Sequence, residues 1–257
     1  MAQPIIRVEN VSKDFMLPHL RQVTIKSKVV GMFRRSTTVE VQHVLDEVSF
    51  EVRKGEFFGV VGRNGSGKST LLKIMAGIYP PTSGNVSVFG RLVPFIELGV
   101  GFHPELSGRE NVYLNGAMLG FSKSEVDAMY DDIVDFAELR ASMDQLLKNY
   151  SSGMQVRIAF SIATRAKTDV LLIDEVLAVG DASFKRKCYE HFHALKEGDT
   201  TIVFVSHDMS AIREFCDRVI LVEKGGIVAE GGADEIAERY MEVVAPAAKP
   251  PAQPQSA

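Results

Sequence analysis

Several features that would place a protein in or across a membrane are missing from this sequence. No run approaches the ~20 consecutive apolar residues that a membrane-crossing helix needs. The most apolar stretch, VLLIDEVLAV (170–179), carries two carboxylates. The opening MAQPIIRVENVSKDF has no basic segment followed by an apolar one, so no secretion signal is expected. Cysteine is scarce: Cys188 and Cys216 form no metal-spaced cluster, and a reduced, cytosolic setting is the simplest expectation. Excess positive charge is lacking too. A net charge of -4 argues against a nucleic-acid partner. What is present is ordinary for a folded chain: 257 residues, 46% hydrophobic and 24% charged, enough to bury a full core.

Segments rich in β-branched and aromatic residues predict strands at 5–11, 44–52, 57–62, 170–174 and 201–207, with two more around the Gly225-Gly226 turn in 218–231. NVSVFGRLVPFIE (85–97) reads as two short strands broken at Gly90. Helical pattern fills 67–77 and at least three stretches of 107–165. One opens on a capping box, Ser107 with Glu110. Another sets Val126, Met129, Tyr130, Ile133 and Phe136 at helical spacing. Strands interrupted by an all-helical insert predict a two-lobed α/β architecture. Residues 17–40 hold a local charge of +4 out of the total of -4. They read either as a solvated loop or short amphipathic helix, or as a basic patch facing a membrane or an acidic partner. The Pro/Ala-rich end, 246–257, is expected to be disordered.

The strongest local signal is GRNGSGKS (62–69), which fits G-x-x-x-x-G-K-[ST] between an apolar strand and a helical pattern. Glycines at 62, 65 and 67 let the backbone curl, so that successive N–H groups of the loop, Asn64 and Ser66 included, point at phosphate oxygens. The following helix adds its positive end. Lys68 reaches the β and γ phosphates, Ser69 offers a hydroxyl to Mg²⁺, and Thr70 faces the α phosphate. A second element must close the metal site. VLLIDE (170–175) ends in two carboxylates that point to opposite faces of a strand. Asp174 is therefore assigned to the metal, and Glu175 to the attacking water as general base or orienting group.

Four further pieces carry a resemblance. YSSGMQVRIAF (150–160) resembles the LSGGQ signature of ATP-binding cassette (ABC) proteins. AVGD (178–181) follows the acidic strand as a D-loop does, and VFVSHD (203–208) sits where the switch histidine belongs. The motifs also stand in the family's order. The segments 97–116, 150–163 and 171–188 look like the nucleotide-binding subunit of polysaccharide-exporting ABC transporters, which serve O-antigen, capsule and teichoic acid. The resemblance implies a RecA-like P-loop core with an antiparallel β subdomain and an inserted α-helical subdomain at about 98–165, within an ABC domain at 1–245. It implies ATP and Mg²⁺, a head-to-tail homodimer, and two copies of an integral membrane permease. It places the chain peripherally on the cytoplasmic face of the inner membrane. Ser151 and Gly153 would meet the γ phosphate bound to the opposite subunit, His207 would sense that phosphate, and Asp181 would contact the partner chain. Asp181 also reads as a simple helix N-cap, and both can hold at once. Phe15 is the choice for stacking on adenine, with Phe33 a second candidate.

Two departures stand out. Tyr150, Ser152 and Met154 replace the general Leu, Gly and Gln of the signature. No glutamine occurs between residues 43 and 144, so the usual Q-loop glutamine is absent, and Glu97, His103 and Glu105 are the candidates to replace it. A soluble ABC ATPase of translation or DNA repair is the alternative function, but such proteins usually have two cassettes or a long coiled-coil insert. A non-catalytic nucleotide-binding module would be expected to break Lys68, Asp174 or Glu175, and none is broken. After about Val244 only a short tail follows, so no carbohydrate-reading domain is expected. That suits a capsule, teichoic-acid or galactan-type exporter, or an O-antigen system that does not read its terminus.

Overall fold

The computed structural model describes residues 4–18, 39–96, 101–165, 168–174 and 181–244. Most of the basic 17–40 segment with Phe33, Glu97, most of LGVGF (98–102), Glu175 and the tail lie outside the described residues.

Two sheets form the molecule. β1 (Pro4–Pro18), β2 (Val39–Arg53) and β4 (Ser83–Val88) make an antiparallel sheet in the order β2-β1-β4. The second sheet contains β3 (Phe57–Val61), β5 (Leu92–Phe95), β6 (Val170–Asp174), β7 (Thr201–Val205), β8 (Arg218–Glu223) and β9 (Gly226–Gly231). Its order is β5-β6-β7-β3-β8-β9, parallel throughout except for the β8–β9 hairpin. The two strands expected around Gly90 thus exist, but in different sheets.

Side-chain alternation explains why the parallel strands read as continuous apolar runs. Phe57, Leu171, Ile173, Ile202, Phe204 and Leu221 face one layer. Phe58, Leu172, Val203, Val205, Ile220 and Val222 face the other. That second layer is closed by α1 (Lys68–Met75) and the antiparallel sheet. The first is closed by α2 (Gly108–Met118), α3 (Lys123–Ala137), α4 (Ser152–Arg165), α5 (Ala182–Lys196), α6 (Met209–Phe215) and α7 (Ala233–Val244).

The helical lobe is the excursion between β5 and β6. The capping box at Ser107 and Glu110 is present, and Ser122 with Glu125 forms a second at the start of α3. On α3, Val126, Ile133 and Phe136 are buried as their spacing predicts. Asn111 is fully buried and knits the preceding turn. Its Nδ2 donates to the carbonyls of His103, Leu106 and Ser107, and its Oδ1 accepts from the His103 N–H. Gly108 is fixed by contact, since a Cβ there would lie 2.0 Å from the Tyr150 hydroxyl.

α5 carries a titratable group in an apolar setting. His191 packs against the Phe136 ring with centroids 5.5 Å apart, and its Nε2 donates to the Thr164 carbonyl at 3.2 Å. Burial, reinforced by the Arg165 charge, pulls its imidazole from 6.5 to about 4. The folded state therefore holds His191 neutral where the unfolded chain protonates it. This contribution to stability is complete above pH 6.5 and is lost as pH falls from 6.5 towards 4. Urea midpoints at pH 7 and pH 5 should separate more for the wild type than for His191→Gln.

Candidate functional site

The loop after β3 and the start of α1 form one wall of a cavity of about 690 Å³. That wall contains Asn64, Gly65, Gly67, Lys68, Ser69 and Thr70, with Asp174 opposite. The sheet order brings them together. β7 lies between β3 and β6, and Val205 pairs with both Val60 and Asp174. Asp174 thus emerges one strand beyond β7 from the glycine-rich loop. His207 stands exposed two residues past Val205, at the same edge.

Local geometry shows why these residues are needed. Gly67 caps α1 in the left-handed region (φ 107°), and no side chain caps that helix. Its leading N–H groups are thereby left for an anion. A Cβ on Gly67 would meet Leu45 Cδ2 at 2.7 Å and the Val44 carbonyl at 2.8 Å; one on Gly62 would meet the Val222 carbonyl at 2.2 Å. The buried Lys68 ammonium donates to the carbonyls of Gly62 (2.8 Å) and Arg63 (3.0 Å), holding a cation across the loop. Ser66 is buried, and its Oγ has no hydrogen-bond partner among the described residues. A concave backbone, a buried cation and an orphaned hydroxyl suit a polyphosphate.

The same cavity suits a hard cation. Ser69 and Asp174 both line it. Among the described residues no cluster of three or more His, Cys, Asp or Glu could hold a metal alone. Mg²⁺ does not need one, since it usually takes one or two protein oxygens and completes its shell from phosphates and water.

The far wall comes from the antiparallel sheet. Phe15 lines it. So do Val44 and, beside it, Gln42 and His43, which sequence reasoning missed because β2 starts five residues earlier than its apolar pattern. In the strand register Phe15 faces Gln42 and Asp14 faces His43, with a 2.7 Å contact between the carboxylate and His43 Nδ1. The Phe15 ring is braced from behind. Tyr79 meets it edge-on at 5.8 Å, and Lys13 Nζ lies 5.1 Å from its centroid while donating to the Pro80 carbonyl.

The signature residues are elsewhere. Ser151, Ser152, Gly153, Arg157 and Asp181 line a separate cavity of about 500 Å³ that shares no residue with the first. Ser151 caps α4, its Oγ accepting from the Met154 N–H at 3.2 Å, and the helix begins at Ser152. Asp181 caps α5 by accepting from the Phe184 N–H (3.0 Å) and the Ser183 hydroxyl (2.6 Å). These bonds, with Arg157 alongside, hold its carboxyl down to about 2. Of the Q-loop candidates, two are engaged within the helical lobe: His103 Nδ1 accepts from the Glu105 N–H at 3.3 Å, and the Glu105 carboxylate pairs with Lys148 at 2.8 Å.

One chain thus carries the phosphate-loop residues and the signature residues in two separate cavities. The family profile described as "ABC transporter" matches residues 45–178. This chain belongs to the ABC transporter family. The O-antigen export system ATP-binding protein RfbB of Klebsiella pneumoniae is 42% identical over 245 residues, which span 95% of this chain and 100% of that protein. The teichoic acids export ATP-binding protein TagH of Listeria monocytogenes is 38% identical over 240 residues, 93% of this chain and 70% of that protein. Among solved structures, a dimeric, post-hydrolysis ATP-binding cassette bound to ADP and Pi aligns with a TM-score of 0.70 over 89% of this chain and 98% of its own. At 22% identity that likeness concerns the fold, and it establishes the cassette architecture.

Because the cradle of this ABC subunit has no room for a Cβ at Gly67, Gly67→Ala should lower ATP affinity more than tenfold. A left-handed Ala alone costs only ~1–2 kcal/mol. Gly77→Ala (φ 70°, with open space around the new Cβ) is the matched control and should bind normally. A fluorescent ATP analogue read in titration checks both.

Proposed function

We propose that this chain is the ATP-hydrolysing subunit of a transporter that exports a polysaccharide or lipid-linked glycan across the cytoplasmic membrane. The observation that carries the proposal is the separation of the two half-sites. The phosphate loop and Asp174 line one cavity, while Ser151, Gly153 and Asp181 line another. Neither is a complete site, but two copies packed head-to-tail complete two. The export systems named for the 42% and 38% identical relatives supply the substrate class.

In this reading two identical subunits clamp two ATP molecules at their seam. Backbone N–H groups of the loop bind the phosphates, and Lys68 exchanges its bonds to the Gly62 and Arg63 carbonyls for phosphate oxygens. Phe15 stacks on the base. Ser69 and Asp174 would hold Mg²⁺, which supplies charge neutralisation to the phosphates. Glu175, next in sequence after Asp174 and outside the described residues, is the group proposed to orient the attacking water. His207 hydrogen-bonds the γ phosphate from the neighbouring strand end. Ser151 and Gly153 of the opposing subunit close over the same phosphate, with Asp181 at the seam. Phosphate release reopens the dimer and drives the membrane partner.

The permease docks, in this reading, on the groove between the lobes. That groove encloses about 470 Å³ and is lined by Tyr79, Phe95, Ile96, Met118, Leu119 and Ile78. Met118 and Ile78 are 59% and 53% exposed, an apolar surface that a helix from a membrane subunit would cover. No described helix is long and apolar enough to cross a membrane. Attachment at the cytoplasmic face of the inner membrane would therefore be peripheral, with one permease copy for each cassette.

Glu175→Gln should bind ATP and form a stable closed dimer while turnover drops by about 10²–10³ or more. Near-normal phosphate release by that variant would remove Glu175 from catalysis. Met118→Glu should leave ATP binding intact and abolish co-purification with the multispanning partner; unchanged co-purification would move the docking surface elsewhere.

A further inference from the structure

We propose that Arg157 is a positioning residue that locks Asp181 to the signature helix, so that each protomer presents Ser151 and Asp181 to its partner's nucleotide as one unit. The inference rests on the two-subunit site proposed above and adds to it a residue and a mechanical linkage.

The geometry is specific. Capping of α5 needs only one oxygen of Asp181: Oδ1 accepts from both the Ser183 hydroxyl and the Phe184 N–H. The other oxygen, Oδ2, takes a hydrogen bond from Arg157 Nη2. The opposite arm of the same guanidinium, Nη1, donates to Glu138 Oε2 at 3.0 Å. Glu138 sits in the left-handed conformation (φ 60°) that ends α3, and its second oxygen accepts from Lys187 Nζ at 3.0 Å. Lys187 also donates to the Phe136 carbonyl at 2.9 Å. One arginine on α4 thus bridges the end of α3 and the start of α5, and the four charges balance.

The setting strengthens the tie. The Arg157 side chain is only 17% exposed, and its guanidinium lies 5.0 Å from the Phe184 ring centroid. The carboxylates of Glu138 and Asp181 are 50% and 59% exposed, so only the arginine end of the network is shielded from solvent. A planar guanidinium can also grip two carboxylates through separate nitrogens, which a lysine ammonium cannot do in the same geometry. Arg157 and Asp181 line the same cavity as Ser151 and Gly153. Without Arg157, Asp181 would keep its cap but lose its direct hydrogen bond to the signature helix, while α5 would stay tied to the end of α3 through Lys187. The two surfaces meeting the partner could then move separately, and closure would have to order both.

The test uses the full chain in the Glu175→Gln background, with ATP-driven dimerisation measured by sedimentation and protomer affinity by a fluorescent ATP analogue. Arg157→Gln should weaken the dimer about tenfold (about 1.4 kcal/mol) and leave protomer affinity for ATP unchanged. Arg157→Lys should fall between, because it keeps the charge but not the double grip. When Asp181 is already Asn, Arg157→Gln should add less than about twofold, since residues acting through one contact are non-additive. Unchanged dimerisation, a fully additive effect or an equal loss of protomer affinity overturns the inference. If Arg157→Gln fails to fold, Arg157→Lys carries the same comparison. Failure of the Glu175→Gln parent to dimerise with ATP would instead overturn the two-subunit reading.

Discussion

The Val44 carbonyl is wedged between two glycines, and the nucleotide cradle depends on that contact. A Cβ on Gly67 would come within 2.8 Å of this oxygen, and one on Gly225 within 2.7 Å. The carbonyl reaches this place because the β1–β2 ladder slips register between Lys13 and Asp14, which leaves Val44 as an extra residue on β2. The Gly225 N–H then donates to the Ser66 carbonyl at 3.1 Å, and the Asp46 N–H donates to the Gly225 carbonyl at 3.0 Å. Phosphate loop, β8–β9 turn and antiparallel sheet are fastened at one point. The Phe15 wall of the cavity is thereby fixed relative to the phosphate-loop wall, although the two belong to different sheets.

The second constraint is the strand order. With β7 between β3 and β6, the loop, His207 and Asp174 emerge from three adjacent strand ends. The space between the first and third strands is then wide enough for phosphates and a cation. The helical lobe leaves from the far edge, between β5 and β6, and carries Ser151 and Gly153 into a different cavity. In the proposed function this separation is why one chain would not close its own site. The separation of the two cavities follows from the topology rather than from any single residue. Within the lobe, the tie from Glu138 through Arg157 to Asp181 joins the signature helix back to the sheet's own helix α5.

Much of this was readable in the linear order of residues. Local rules identified the phosphate loop, because its glycines and lysine are needed by backbone geometry and charge wherever the loop sits. The same rules located the capping box at Ser107 and the apolar face of α3, both of which depend on neighbours three or four residues away. Less legible was the start of β2, where Glu40, Val41, Gln42 and His43 are exposed and join the strand only because β1 runs beside them. Gln42 and His43 were missed for that reason. The bracing of Phe15 by Lys13 and Tyr79 was equally hidden, since Tyr79 lies beyond α1 in the chain.

By itself, the sequence determined the chemistry: which residues can bind phosphate, which can hold a cation, and that the chain alternates strand and helix around them. These follow from side-chain type and short-range spacing. The tertiary structure alone decided which of those residues share a cavity. It set Asp174 opposite the loop, moved Ser151 and Asp181 away from it, and turned His103 and Glu105 into partners within the helical lobe. The reason is physical: strand order and register bring together residues more than a hundred positions apart, and no local pattern encodes that pairing.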